Sequence, residues 1–423
     1  RAPFGSVRSP VQIRAPRLAQ LSRPQFVTQK GNAPESAQDR AAGGRRRRRR
    51  LVIIGALLFV AIAVGVAAVM SWRFSSMLLE PSHEPGPYGV EVLSVDEGTV
   101  ELERSRDTER PGIYGLAWEG GRAVVGRVLS TDGGSVVRRL RDLAGRLEPG
   151  EKAMLDPHVW EGDPEKTLGI AFQEVEIEGE LGPMPAWRVD PPRPASTWAI
   201  FVHGINGTRE AALRVMPTLR DAGLTTLAVT YRNDEGAPAS PDGKHHLGQT
   251  EWRDVEAAAD YAIAEGAERL VVIGYSMGGA ITTQFAQNTA FRDRIAALIL
   301  DSPALSWKPI LAYDATQLGL PGWVADPVRW AVSLRIDVDW DRLDALQHAD
   351  RLRFPTLLFH GAEDTIVPIE TSEAFARALP EEVRFHRLER AGHVENWNVD
   401  PALYEKRLRA FLEEVGVSPS MRR

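Results

Sequence analysis

The rhythm of apolar and polar positions changes several times along the chain. Residues 1–44 have no apolar period and are rich in Arg, Pro, Gln and Ser, a composition that predicts disorder. Leu51 to Met70 form an uncharged run that as a helix would span about 30 Å, one hydrocarbon core. The pattern predicts a disordered basic tail over 1–50, a transmembrane helix over 51–72 and a Pro- and Gly-marked linker over 73–89. In residues 90–170, short apolar runs (Val90–Val95, Thr99–Leu102, Ile113–Trp118, Ala123–Leu129) are parted by glycine-bearing turns. They predict a small β-rich accessory domain, with a helix over 136–147.

From about residue 171 the period alternates between 2 and 3.6. An antiparallel pair around 175–178 and 186–189 comes first. Strands then alternate with helices: strand 198–202, helix 209–221, strand 225–231, helix 251–265, strand 270–273, helix 279–287 and strand 295–300. Strand 356–359, helix 371–379, strand 383–388 and helix 401–415 complete the series. This predicts an α/β fold over 171–416, a doubly wound, mostly parallel sheet with its site past the carboxyl ends of the strands. The stretch 304–353 is longer than a crossover needs and holds Trp307, Tyr313, Trp323, Trp330 and Trp340. It predicts a small helical lid whose aromatics mostly pack it onto the sheet. Residues 417–423 are read as a tail.

Composition and charge narrow the possibilities. The chain has no Cys, which removes disulfides, cysteine zinc sites and a thiol nucleophile. Its 45 Arg against 6 Lys match a GC-rich genome and a bacterial origin. Residues 1–50 carry a net +11 while the whole chain carries −6, which leaves −17 on residues 71–423. That acidic bulk argues against nucleic acid as a partner. Arg45 to Arg50 flank the apolar run on one side only. They predict a single-pass protein of the cell membrane, anchored through 51–72, with a cytoplasmic N-terminus and an extracytoplasmic catalytic domain. The chain begins with Arg1, and residues 5–16 read like translated upstream DNA, so a misplaced start or a fragment is expected and no function is assigned there.

The chemistry lies at four strand ends. Gly274-Tyr275-Ser276-Met277-Gly278 follows an apolar strand and precedes a helix, an arrangement that exposes a serine Oγ on a sharp turn. His203-Gly204-Ile205-Asn206-Gly207 follows another strand and presents backbone N–H groups. The N–H groups of Ile205 and Met277 are the expected oxyanion hole, with Asn206 the alternative to Ile205. Asp364 follows the strand at 356–359, and His393, after Gly392, precedes the last helix. In this order His393 takes the serine proton and Asp364 holds the imidazole. Asp301, at the end of the strand after the serine turn, is the alternative acid. His203 and His360 are read as structural and Glu363 as solvent-facing. His158 and Asp156 are read as plain loop residues, and His245 and His246 as rim residues rather than metal ligands. No metal and no cofactor are expected.

Through H-G at 203–204, G-Y-S-M-G-G at 274–279, H-G-A-E-D-T-I-V-P at 360–368 and A-G-H at 391–393, residues 171–416 resemble the α/β-hydrolase superfamily. The resemblance is strongest to its serine hydrolases of the dienelactone-hydrolase, prolyl-oligopeptidase-like and Bem46-like kind. It implies acyl transfer to water through an acyl-serine intermediate. The expected activity is hydrolysis of a small carboxylic ester or acyl substrate. The rivals are a serine peptidase of the prolyl-oligopeptidase kind, a cell-envelope acyltransferase and a catalytically dead binding protein. Residues 90–170 are too few for the propeller that such peptidases often carry. Neither substrate nor oligomeric state is legible.

Overall fold

The computed structural model describes residues 37–417, apart from Pro85. The disorder expected of residues 1–36 and most of the tail expected at 417–423 fall outside the described residues. The chain divides into two units, residues 1–63 and 64–423. The described part of the first is wholly helical and belongs to α1 (Ala37–Leu79). Its apolar side chains from Leu51 onward are exposed. Among the described residues α1 is the one helix long and apolar enough to cross a membrane. It takes in Arg45 to Arg50, expected in the disordered tail. Arginine is a good helix former, and an established helix propagates into it readily.

At its other end α1 runs past Trp72 into the expected linker. Ser71, Ser75 and Leu79 are buried and Phe74 and Leu78 half-buried, the 3–4 spacing of one helix face. Leu79 joins the hydrophobic core of the larger unit, and its carbonyl accepts the N–H of His245 at 2.8 Å. Residues 73–79 are therefore a docked helical turn rather than a linker.

Six strands follow: β1 (Val90–Asp96), β2 (Thr99–Glu103), β3 (Tyr114–Trp118), β4 (Gly121–Asp132), β5 (Ser135–Ala144) and β6 (Lys152–Asp156). They close into a barrel in the order β1-β2-β5-β4-β3-β6. The helix expected over 136–147 is instead mostly strand β5, paired with β4 through the tight turn that sets Asp132 opposite Ser135. Its burial alternates, with Val136, Arg138 and Leu140 inward. The buried charge at 138 disguised that period-2 pattern. The Arg138 guanidinium donates to the carbonyls of Gly126 (2.9 Å), Thr108 (3.0 Å), Arg110 (2.8 Å) and Gly112 (2.9 Å). It pins the loop between β2 and β3 from inside.

After the short α2 (Pro164–Leu168) come β7 (Gln173–Gly179), β8 (Gly182–Val189), β9 (Thr197–Val202), α3 (Met216–Asp221), β10 (Thr225–Val229), α4 (Trp252–Ala264), β11 (Arg269–Tyr275), α5 (Met277–Asn288) and β12 (Ile295–Asp301). Then follow α6 (Trp307–Gln317), α7 (Ala325–Arg335), β13 (Thr356–Gly361), α8 (Ile369–Ala378), β14 (Val383–Leu388), α9 (Asn396–Val399) and α10 (Pro401–Glu414). The eight strands form one sheet in the order β14-β13-β12-β11-β9-β10-β8-β7. β9 to β14 pair in parallel, and the β7–β8 hairpin joins the edge antiparallel. Alternate residues of each strand feed opposite faces. Trp198, Ile200 and Val202 pack with α4 and α5, while Ala199 and Phe201 pack with α3 and α10. This is the doubly wound α/β sheet that the alternation predicts. The helix expected over 209–221 is split into a 3-10 turn at Arg209–Arg214 and α3, because Pro217 has no N–H to continue the ladder and fits only a first turn.

α6 and α7 make the expected helical lid. Trp307 is buried, its indole donating to the Leu247 carbonyl at 3.0 Å, and Tyr313 and Trp340 are half-buried. Trp323 and Trp330 turn outward, so three of the five aromatics pack inward, in line with the expectation for most of them.

Arg138→Met is expected to destabilise the protein by about 3 kcal/mol, since four carbonyls lose their charged donor in the barrel interior. Urea denaturation checks this. A loss well under about 1 kcal/mol would mean that the Arg138 bonds do not hold the barrel together.

Candidate active site

Ser276 sits between β11 and α5 with φ 52° and ψ −118°, a conformation that an L-residue holds only when its surroundings impose it. The imposing contacts are visible. The Ser276 N–H donates to the Asp301 carbonyl at 3.0 Å, and its own carbonyl accepts from Gly279 (2.9 Å) and Ala304 (3.0 Å). A Cβ on Gly278 would lie 2.2 Å from the Val202 carbonyl oxygen and 2.5 Å from that of His203, so only glycine lets the first turn of α5 press against the end of β9. The same approach brings the 203–207 loop to the serine: a Cβ on Gly204 would lie 3.1 Å from the Ser276 Cβ and 3.6 Å from its Oγ. Ile205 follows that contact. Met277 opens α5, where an N–H has no intrahelical acceptor. The two expected oxyanion donors are thus chain neighbours of Gly204 and of Ser276.

The structure brings Ser276, His393 and Asp364 into one hydrogen-bonded chain. His393 Nε2 lies 2.8 Å from Ser276 Oγ, and His393 Nδ1 lies 2.8 Å from Asp364 Oδ2. A carboxylate only accepts, so Nδ1 carries the proton and Nε2 is free to accept from the hydroxyl. Asp364 is buried, and its Oδ1 accepts the N–H groups of Ile366 and Val367, both at 2.9 Å. Burial alone would push its pKa up. The attraction of His393 and the hydrogen bonds from His360 and His393 outweigh that and hold the carboxyl well below the usual carboxylate range.

Asp301, the alternative acid, is not joined to His393. Its buried carboxylate accepts from Asn396 Nδ2 at 2.7 Å, and burial pushes its pKa up. His203 is fully buried and stacked on Tyr231, with Nε2 2.9 Å from Asp234 and Nδ1 2.9 Å from the Gly204 carbonyl. It ties down the Gly204 turn. His360 is closer to the site than expected: its Nε2 lies 3.0 Å from the Val367 carbonyl and 3.2 Å from Asp364 Oδ2. His245 and His246 have separate partners, Asn206 and Asp242, each at 3.1 Å. Glu363 is exposed and faces Arg106 at 3.9 Å.

The contacts that sequence reasoning missed lie outside the sheet. Glu395, two residues beyond His393, is buried; its Oε2 accepts from the Gly392 N–H (3.1 Å) and the Tyr114 hydroxyl (3.3 Å), and its Oε1 from Arg110. Asn398 bridges the carbonyls of Ile113 (2.7 Å) and Pro157 (2.8 Å), and Arg214 donates to Val394 O (2.8 Å) and Asn398 Oδ1 (2.9 Å). On the opposite side, Asn206, next to Ile205, accepts from the Ser82 N–H at 2.9 Å. The barrel grips the histidine loop, and the segment after α1 meets the 203–207 loop. The acid residue after His393 is a weak sequence signal; nothing marks its barrel partners. An apolar groove of about 410 Å³ opens between α6 and α8, with Pro309, Ala312, Tyr313 and Leu346 among its walls. Ser276 does not line it, so it is not the chamber in which the serine lies.

Because the Asp364 pKa is depressed on folding, its contribution to stability is present above the unfolded value near 4 and is lost as pH falls. Wild type is therefore expected to lose more unfolding free energy than Asp364→Asn between about pH 5 and about pH 3, read by urea midpoints in detergent. Equal losses would contradict the depressed value.

Residues 214–416 match the family described as "Prolyl oligopeptidase family", and residues 91–156 match one described as "Domain of unknown function (DUF8805)". A carboxylesterase of Bacillus subtilis (strain 168) is 20% identical over 229 residues, 51% of this chain and 92% of its own. An esterase of Pyrococcus furiosus aligns at 22% identity and a TM-score of 0.48, over 60% of this chain and 96% of that one. A thermophilic esterase of Thermogutta terrifontis aligns at 20% identity and a TM-score of 0.42, over 57% and 99%. The family match falls on the segment that holds Ser276, Asp364 and His393, and with the doubly wound sheet it makes this protein an enzyme of the α/β-hydrolase superfamily, a serine hydrolase.

Proposed function

We propose that the protein is a membrane-anchored serine hydrolase that cleaves carboxylic esters through an acyl-serine intermediate. The observation that carries this reading is the unbroken hydrogen-bond chain from Asp364 through His393 to Ser276. Ser276 Oγ attacks the acyl carbon while its proton passes to His393 Nε2, and Asp364 stabilises the imidazolium. The carbonyl oxygen, now negative, accepts from the N–H groups of Met277 and Ile205 at the positive end of α5. The imidazolium then gives its proton to the departing alkoxide. In the second half His393 deprotonates a water, which attacks the acyl carbon; the bond to Ser276 Oγ breaks, the imidazolium returns its proton to Oγ, and the acid is released. None of these steps calls on a cofactor.

The apolar run of α1 supports the anchor, and the arginines at its start support a cytoplasmic N-terminus with the hydrolase on the far side. A second reading, peptide-bond hydrolysis with the same three residues, is favoured by one observation, the description of the family matched by residues 214–416.

Turnover of short p-nitrophenyl esters against peptide p-nitroanilides separates the two readings, and the ester is expected to be hydrolysed. Ser276→Ala is expected to lower kcat/KM by about a thousandfold or more and to abolish fluorophosphonate labelling. His393→Ala should cost far more activity than His203→Ala, and Asp364→Asn far more than Asp301→Asn. Labelling that persists in Ser276→Ala would rule out Ser276 as nucleophile.

A further inference from the structure

The lid carries an outward apolar face for which ester hydrolysis in solution has no use. Leu318, Leu320, Trp323, Trp330 and Leu334 are 59%, 45%, 71%, 68% and 61% exposed. Beyond α1 the described residues contain only four other large apolar side chains so exposed, at Leu93, Leu129, Leu143 and Ile366, and three of these are on the barrel. Scattered exposed apolar residues are ordinary, but a concentration of them marks a surface that meets something apolar. Within α7, Ala331 and Val332 already supply the buried contacts. Trp330 and Leu334, four residues apart, lie on one stripe of the opposite side, so the helix is apolar both ways.

The position of this face indicates what covers it. Arg335, the residue after Leu334, holds its guanidinium 4.6 Å from the centre of the Trp72 ring. It donates to Ser75 Oγ (2.9 Å) and Ser76 Oγ (2.7 Å) and pairs with Glu80. Trp72 closes the apolar run of α1, is half exposed, and is of the residue type that settles at the boundary between acyl chains and headgroups. The end of the lid's apolar face is thus fastened to the turn where the anchor leaves the apolar run. The eleven residues of α7 span only about 16 Å, so its whole outward face stays near that boundary.

We propose that the outward face of the lid lies in the headgroup–acyl boundary of the bilayer that α1 spans, and that the site beneath it takes ester substrates carried in that bilayer. This rests on the anchor reading above. A second copy of the chain would also cover apolar residues, but the Arg335–Trp72 contact ties the end of this face to the residue that closes the apolar run, which favours lipid as the occupant. The occupant is the acyl-chain boundary, recognised by burial of tryptophan and leucine rather than by any headgroup contact.

The chain has no Cys, so single-cysteine variants of the full protein carry one label each. An environment-sensitive fluorophore is placed at Trp323→Cys and Leu334→Cys, with Leu143→Cys on the barrel and Val60→Cys in the apolar run as references, in phosphatidylcholine–phosphatidylglycerol vesicles. The labels at 323 and 334 are expected to shift to the blue, to lose intensity to lipids with a nitroxide near the headgroup, and to resist aqueous iodide; the label at 143 should do none of these. If 323 and 334 behave like 143 while 60 is quenched by nitroxide lipid, the lid proposal falls and the anchor stands. If 60 is not quenched either, both fall. Shielding of 323 and 334 from iodide and nitroxide lipid alike would mean that protein covers the face, and would also overturn the proposal.

Discussion

A serine held at φ 52° and ψ −118° is the constraint on which the rest of the site depends. Such a backbone costs on the order of 1–3 kcal/mol, so it persists only if several elements impose it together. β12 supplies the carbonyl of Asp301, the 302–304 turn supplies the N–H of Ala304, and β9 presses on Gly278. These elements are far apart in sequence and meet only because the parallel sheet sets β9, β11 and β12 side by side. The sheet therefore does more than carry the serine. It forces the turn that lifts Oγ toward His393 and, through the same close packing, draws the Gly204 loop against it.

Much of this was legible in the residues. The strand–turn–helix around Ser276, the loops of Asp364 and His393 and the parallel order of the strands all leave local marks: β-branched runs, glycines at tight turns, helices between strands. Two of the misreadings share one physical cause. At 136–147 a buried arginine made a strand look like a charged helix face, because the four carbonyls that satisfy it come from other parts of the barrel. At 73–79 a helical turn looked like linker, because its buried face of Ser71, Ser75 and Leu79 is only partly apolar and its partners lie far along the chain. Where a side chain is satisfied by distant groups, local pattern cannot report it.

The same limit hid the purpose of the N-terminal additions. Glu395 carries no mark that its buried carboxylate meets Arg110 and Tyr114, 285 and 281 residues away. A carboxylate buried without such partners would be strongly unfavourable, so the histidine loop in its present form presupposes the barrel. Arg138 extends the dependence by one step, because it fixes the carbonyls of Arg110 and Gly112 and hence the loop from which Arg110 reaches out. The barrel interior and the His393 loop are one continuous polar network.

On the other side of the serine, the segment after α1 plays a matching part. Ser82 donates to Asn206, two residues beyond Gly204, and His245 contacts both Asn206 and the Leu79 carbonyl. The two additions divide these contacts between them: the barrel holds the histidine loop, and the end of α1 with the segment after it meets the 203–207 loop and, through Arg335, the lid. The sheet's two cores also take in Leu79 from α1 and Val124 from the barrel. A hydrolase domain cut free of both additions would lose the contacts of Arg110 and Tyr114 to Glu395 and of Ser82 to Asn206. The accessory parts are thus supports of the loops around Ser276, and the end of α1 is the support that also reaches the lid.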